Sequence, residues 1–176
     1  MTESTRKHKD EAPKKLGYAI FTCSTSRHQQ LQKGESMTDV SGDLMESLLK
    51  NSEQAIILRK IISDDKDMII ESIKNVLKSD KIDVAIFCGG TGIAPRDITI
   101  ETVTPFLEKT LLGFGEIFRQ LSWKQISSAA IMSRAVAGVA KGKAFFCIPG
   151  SPDAVKLCVE NLILPEAGHI VKHARE

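Results

Sequence analysis

A glycine-rich segment with an acid at its end is the part of this sequence best suited to chemistry. Residues 89–92, Gly-Gly-Thr-Gly, directly follow the apolar run 84–88, and Asp97 comes shortly after them. Glycines let backbone N–H groups approach a ligand closely and adopt angles that other residues avoid. Such a turn, placed at the mouth of a parallel sheet, binds anions and nucleotides. The segment therefore predicts a phosphate site, beside which Asp97 would suit a magnesium ion.

Two further polar clusters follow predicted strands. The segment Ser63–Asp65 comes after the second apolar run, and Ser24–Arg27 comes after the first. Because the carboxyl ends of parallel strands meet at one edge of a sheet, we expect both clusters to lie near Asp97. An acid in the Ser63–Asp65 cluster could complete a divalent-metal site with Asp97, although Ser63 or Asp65 could also be no more than a helix cap.

The spacing of apolar residues predicts the elements that must position these groups. Residues 23–42 show no apolar period, and we expect a long loop over most of them. Thr99 and Ser151 are expected to cap helices. Strands and helices alternate, apart from one late hairpin, which predicts a three-layer α/β sandwich with a mostly parallel central sheet and a small late β-hairpin. The predicted strands are 16–22, 55–62, 84–88, 136–139 and 144–148. The first predicted helix begins near residue 41, and four more cover 66–77, 100–109, 122–134 and 154–164.

The composition is that of an ordinary globular domain. The chain has 176 residues, 42% of them hydrophobic and 26% charged, with a net charge of +2. We expect one domain, 16–176, after a disordered charged tail, 1–15. The small net charge argues against nucleic-acid binding, and no apolar run reaches the roughly 18 to 20 residues that span a bilayer. The N-terminus has no secretory signal, so a cytoplasmic location is expected.

Four segments, in the expected order, closely resemble the molybdenum cofactor biosynthesis protein B family, the MoaB/MogA-like proteins that share a domain with gephyrin. The resemblance covers the chain from about Gly17 to its end. The segments are the polar loop ending in DVSG (39–42), GGTGIAPRD (89–97), GFGEIFRQLS (113–122) and SRAVAGVAKGKAFFCIPGSP (133–152).

The resemblance implies a molybdopterin-binding α/β fold and, in active members, molybdopterin adenylyltransferase activity. Those members use ATP and magnesium to place AMP on the terminal phosphate of molybdopterin, which gives adenylyl-molybdopterin and pyrophosphate. The product is then handed to a molybdate-insertion enzyme. Members are usually trimers and some archaeal ones are hexamers, with molybdenum or tungsten as the metal downstream. The alternatives are a molybdopterin-binding or carrier protein without transferase activity and a trimerising scaffold.

The resemblance also implies which residues form the site. Asp64 and Asp97 match two essential acids, proposed to hold magnesium. Active relatives usually have Pro where this chain has Ser63, so the first acid could be Asp64 or Asp65. The binding residues implied by the matched motifs, by the polar clusters and by the neighbouring arginine are Ser24, Asp39, Ser41, Gly42, Gly89, Gly90, Thr91, Gly92, Arg96, Ser133, Pro149, Gly150 and Ser151.

Overall fold

The structure is a computed structural model that describes residues 11–176. None of the helices within that range combines the length and the apolar composition that crossing a bilayer requires. The strands are β1 (Gly17–Cys23), β2 (Ala55–Ile62), β3 (Val84–Cys88), β4 (Lys109–Thr110), β5 (Val136–Ala140) and β6 (Lys143–Ile148). The α-helices are α1 (Thr25–Gln32), α2 (Val40–Asn51), α3 (Lys66–Lys78), α4 (Thr99–Val103), α5 (Leu112–Ile126), α6 (Pro152–Cys158) and α7 (Leu164–Arg175).

The strands form one sheet in the order β2-β1-β3-β6-β5-β4. The first four are parallel, whereas β5 and β4 continue the sheet in antiparallel pairs. The chain leaves β1 towards β2 at one edge of the sheet and leaves β3 towards β4 at the other, so the connections of these two adjacent strands run in opposite directions. The crevice at the carboxyl ends of β1 and β3 is thus a topological switch point, where ligands bind in such sheets.

Both faces of the central strands β1, β3 and β6 are buried, whereas β2 at the edge of the sheet is partly exposed. Tyr18 and Ile20 of β1 face a core completed by α2, α5, α6 and α7. Phe21, the next residue along β1, faces the second core with α3 and α4, where its ring stacks on Phe87 with centroids 4.7 Å apart. Burial on both faces explains why the strands are apolar without alternation. The three-layer α/β prediction is confirmed.

The late hairpin is confirmed as well. Antiparallel β5 and β6 are joined by Lys141 and Gly142, whose φ angles are 48° and 71°. Two central residues with positive φ are typical of the two-residue turn whose twist matches that of the strands.

The first expected loop contains a helix. Helix α1 occupies residues 25–32, its N-cap is Ser24, and none of its eight side chains is buried. An exposed helix needs no apolar period, so the periodicity criterion missed it.

Four helix boundaries also differ from the prediction. The helix predicted over 100–109 ends at Val103 and is followed by a 3-10 turn, Thr104–Phe106, and by β4. Thr99 is the first residue of α4 and not its cap, since the N-cap is Ile98 and the Oγ1 of Thr99 accepts no N–H of the helix. The helix predicted over 122–134 is the end of α5 followed by a 3-10 turn, Ser127–Met132, and Ser127 breaks the helix with a φ of 52°. The last predicted helix continues past residue 164, through a π-helical turn, Val159–Ile163, into α7. Pro165 lacks the N–H that a regular α-helix would use at that position, and the π-helical turn before it lets the chain stay helical.

Part of the expected tail is described by the structure. Residues 1–10 lie outside the described range, whereas residues 11–15 contact the domain. Lys172 Nζ donates to Glu11 at 2.6 Å, and Gln54 Nε2 donates to Lys14 O at 2.9 Å. Gly168 leaves room for Pro13 O, which would lie 2.5 Å from a Cβ atom there.

The stacked pair at the centre of the second core provides a stability test. We expect Phe87→Ala to lower the free energy of unfolding by about 3–5 kcal/mol, because it removes a fully buried ring. Ile57→Ala, at a strand position that is 42% exposed, serves as the control and should cost less than about 1 kcal/mol. Urea denaturation measures both, and equal losses would contradict the assignment of this core.

Candidate active site

Two adjacent depressions lie at the carboxyl edge of the parallel strands. The larger, of about 420 Å³, is lined by the glycine loop, the turn after β6 and the 3-10 turn that follows α5. The smaller, of about 250 Å³, is lined by the residues that follow β1 and β2. Gly90 and Asp97 line both depressions, so the two form one continuous site.

Asp64 lies in the smaller depression and has a defined orientation. Its Oδ2 accepts hydrogen bonds from the backbone N and from the Oγ1 of Thr25, both at 2.9 Å. Its Oδ1 is buried and has no hydrogen-bond partner within residues 11–176. A buried carboxylate oxygen without a partner is costly, and such groups point to an unoccupied ligand position.

Asp97 is held by its own turn. Its Oδ2 accepts from Ala94 N at 2.9 Å, and Gly92 leaves the room that this carboxylate needs, since a Cβ there would lie 2.6 Å from Oδ2. Its carboxylate therefore lies at the junction of the two depressions. Asp64 and Asp97, which are separated in the sequence, line the same depression.

Gly90 occupies a position that has no room for a side chain. Its φ is +62°, and a Cβ there would lie 2.3 Å from Thr99 Oγ1 and 2.7 Å from Asp64 Oδ1. Thr99 Oγ1 is the other buried side-chain oxygen that lacks a hydrogen-bond partner in the described part of the chain. Only glycine fits between these two oxygens.

Three arginines contribute positive charge to the site. Arg27 and the exposed Arg96 line the smaller depression. Arg134 lines the larger one, where its Nε donates to Thr91 O at 3.0 Å and its guanidinium binds Glu101. The hydrogen bond from Arg134 to Glu101 lowers the pKa of the Glu101 carboxyl. The sequence analysis did not single out Arg134. Its contact with the glycine loop joins residues 43 positions apart, and only the folded chain brings them together.

A family model described as "Probable molybdopterin binding domain" matches residues 19–169. The chain belongs to this family. Molybdenum cofactor biosynthesis protein B of Bacillus subtilis is 44% identical over 174 residues, which are 98% of each chain. A protein of Methanocaldococcus jannaschii named "Probable molybdopterin adenylyltransferase" is 39% identical over 93% of this chain and 96% of its own.

The fold of the family is also evident in a solved structure. The tungsten cofactor synthesizing protein MoaB from Pyrococcus furiosus superposes with a TM-score of 0.82 at 38% identity, covering 94% of this chain and 100% of its own. The molybdopterin-binding fold and the MoaB/MogA resemblance inferred from the motifs are both confirmed.

The structure brings together most of the residues that the family motifs implied. Gly89, Gly90, Thr91 and Gly92 line the larger depression with Ser133 and the Pro149–Ser151 turn. Ser24 and Arg96 line the smaller one. Ser151 is also the N-cap of α6, since its side chain accepts from Ala154 N, as predicted.

The three residues of the implied polar loop, in contrast, line neither depression and make internal contacts. Asp39 accepts from Thr22 Oγ1 at 2.9 Å and forms an ion pair with Arg59, and it is the N-cap of α2. Gly42 leaves room for the Asp39 carboxylate. Ser41 Oγ donates to Gly150 O at 2.7 Å, so this loop supports the Pro149–Ser151 turn from behind.

The two adjacent acids after β2 have different environments. Asp64 faces the site, whereas the exposed Asp65 is the N-cap of α3 and accepts from Met68 N at 3.0 Å. Ser63 Oγ donates to Thr25 Oγ1 at 3.0 Å. The geometry favours Asp64 as the acid of the site.

The thiol beside the glycine loop is unsuited to nucleophilic chemistry. Cys88 is fully buried, burial raises the pKa of its thiol well above the usual value, and its Sγ contacts Pro149 O at 3.6 Å. Cys23, which lines the smaller depression, has a pKa raised to about 12 by burial. Reactive cysteines have lowered pKa values, so these two buried cysteines are core residues.

The donor set of the site suits a hard cation. Within residues 11–176 no group of three or more His, Cys, Asp or Glu is arranged to hold a metal. The carboxylates of Asp64 and Asp97, the first of which has an unpartnered oxygen, match Mg²⁺, which is bound in proteins by one or two carboxylates together with substrate phosphates and waters.

A matched pair of glycine substitutions tests the packing at the junction. We expect Gly90→Ala to lower stability by roughly 1–3 kcal/mol and to disturb the site, because its φ is positive and the new Cβ would contact two oxygens. Gly113→Ala, in α5 with open space around it, should leave stability equal or up to about 1 kcal/mol higher. Thermal denaturation and ligand binding measure the difference, and a harmless Gly90→Ala would contradict the described contact.

Proposed function

We propose that this protein is a molybdopterin adenylyltransferase, which transfers AMP from ATP to the terminal phosphate of molybdopterin. The observation that carries the proposal is that Asp64 and Asp97 line one depression beside Gly90 of the glycine loop. Membership in the molybdopterin-binding family and the name of the M. jannaschii relative support the same activity. The B. subtilis relative supports a place in molybdenum cofactor biosynthesis.

The proposed reaction is a nucleotidyl transfer. An oxygen of the molybdopterin phosphate attacks the α-phosphorus of ATP, the bond from that phosphorus to the bridging α–β oxygen breaks, and pyrophosphate leaves with the electron pair. The attacking oxygen is already ionised, so the step needs no general base. Both substrates are anions, and catalysis therefore depends on holding them in line and offsetting their repulsion.

The glycine loop would bind phosphate oxygens through backbone amides. The amide of Gly89 is already used, since it donates to Ile148 O at 3.0 Å. The amides of Gly90, Thr91 and Gly92 have no acceptor among residues 11–176, so these three remain for a ligand. Arg96, exposed at the rim of the smaller depression, would add positive charge.

Asp64 and Asp97 would hold magnesium in this proposal. The buried Oδ1 of Asp64 has no hydrogen-bond partner among the described residues, and a bound cation would supply one. When bound, Mg²⁺ would neutralise charge on the triphosphate and on the pyrophosphate that leaves.

Single-charge substitutions test the two acids. We expect Asp64→Asn and Asp97→Asn each to reduce AMP transfer by more than about 100-fold while molybdopterin binding persists, because only the charge needed for the metal is removed. Pyrophosphate release with molybdopterin, ATP and Mg²⁺ is the measurement. Asp65→Asn is the matched control, since asparagine also caps helices, and it should keep near wild-type turnover.

The same assay separates the transferase from a carrier. If the wild-type protein binds molybdopterin but forms no adenylyl-molybdopterin, the transferase proposal is wrong and a carrier protein remains. If Asp64→Asn or Asp97→Asn turns over like the wild type, the metal assignment is wrong.

A homo-oligomer, either a trimer or a hexamer, is the proposed assembly, and the product would pass to a molybdate-insertion enzyme. Exposed apolar side chains along α5 and the 3-10 turn after it support an interface: Leu112, Ile117, Trp123, Ile126, Ile131 and Met132. The cytoplasmic location stays a prediction.

Light scattering after size-exclusion chromatography tests the assembly. We expect the wild-type protein to have the mass of three or six chains. Trp123→Glu should shift it towards a single chain, because a charge would replace a side chain that is 59% exposed in the isolated chain and buried in the interface. A single-chain mass for the wild-type protein would contradict the proposal.

A further inference from the structure

The hydroxyl of Thr25 is at the centre of a small hydrogen-bond network behind Asp64. Thr25 Oγ1 donates to Asp64 Oδ2 at 2.9 Å, and it accepts from Asp64 N at 3.1 Å and from Ser63 Oγ at 3.0 Å. A hydroxyl has one proton and two acceptor lone pairs, so all of its hydrogen-bonding capacity is used. The direction of its O–H bond is therefore fixed towards Asp64.

This network determines which oxygen of Asp64 faces the site. Oδ2 receives both the hydroxyl and the backbone N–H of Thr25, and these two bonds hold the plane of the carboxylate. Oδ1 is left as a buried acceptor without a partner in the described residues, on the side of Gly90. The arrangement presents one oxygen to a ligand and keeps the other occupied.

We propose that Thr25 is a positioning residue, which orients Asp64 so that Oδ1 can bind a divalent cation, and that Ser63 orients Thr25. The inference rests on the proposed function, in which Asp64 holds magnesium. It also assigns a role to the side chain of Ser63, which donates to Thr25 Oγ1. Groups that orient a metal ligand are worth about 10- to 100-fold in metal affinity or activity.

The test compares two changes at Thr25. Thr25→Val keeps the shape and the backbone N–H but removes the hydroxyl, whereas Thr25→Ser restores the hydroxyl. We expect Thr25→Val to weaken Mn²⁺ binding, measured by electron paramagnetic resonance, and to lower kcat, each by about 10- to 100-fold. The KM for molybdopterin should change less than about twofold, and Thr25→Ser should recover most of both losses.

Two further variants control for a general loss of structure. Thr110→Val is the same substitution at an exposed position of β4, at the far edge of the sheet, and it should leave Mn²⁺ binding unchanged. Ser63→Ala removes one donor to Thr25 and leaves Asp64 intact, so we expect a smaller loss of Mn²⁺ affinity, of roughly 2- to 10-fold. If Thr25→Val does not fold, Ser63→Ala decides the question.

Mn²⁺ binding needs neither molybdopterin nor turnover, which separates this inference from the proposed function. Absence of AMP transfer by the wild-type protein would defeat the proposed function, while the Mn²⁺ affinities still report on Thr25. Equal Mn²⁺ affinity in the wild type and Thr25→Val, failure of Thr25→Ser to recover it, or no Mn²⁺ binding by the wild type would each overturn the role of Thr25.

Discussion

Parallel pairing of β1 with β2 on one side and β3 on the other is the interaction on which the site depends. The register places Cys23 beside Ile62 and Thr22 beside Cys88, so the three strands end at nearly the same level. The residues that follow these strands therefore meet, and the meeting point lies where the chain crosses to the other side of β1. A shift of the register by two residues would separate Thr25 from Asp64 and leave the carboxylate without its two donors.

The close approach at this edge has a cost that the two cores offset. Gly90 adopts a positive φ, and the Oδ1 of Asp64 and the Oγ1 of Thr99 are buried without partners in the described part of the chain. Unpaired buried oxygens and unusual backbone angles lower stability and concentrate at functional sites. Here they surround Gly90, where the loop after β3 approaches the acid after β2. The large buried aromatic side chains on both faces of the sheet supply the compensating packing.

The charges around the site divide into two groups with different tasks. Asp64 and Asp97 face the depressions with one carboxylate each, which suits a cation between anionic substrates. Asp39, Asp43 and Glu46 are instead paired with Arg59 behind the site, where they fix the start of α2. Carboxylates of the same kind can thus serve binding or architecture, and only their partners distinguish them. Arg134, paired with Glu101 of α4 and bound to Thr91 O, joins the glycine loop to α4 in the same architectural way.

The sequence by itself determined the five longer strands, most of the helices between them, the hairpin, the family and the glycine loop, because these depend on local apolar patterns and on contiguous motifs. The exposed helix α1 and the continuation into α7 were missed, since neither follows from an apolar period. Only the tertiary structure decided that Asp64 and not Asp65 faces the site, that Asp39 is a helix cap, and that Thr25 and Arg134 support the site. These outcomes depend on contacts between residues up to 43 positions apart in the chain, such as Arg134 with Thr91, and the pairing of distant strands creates such contacts.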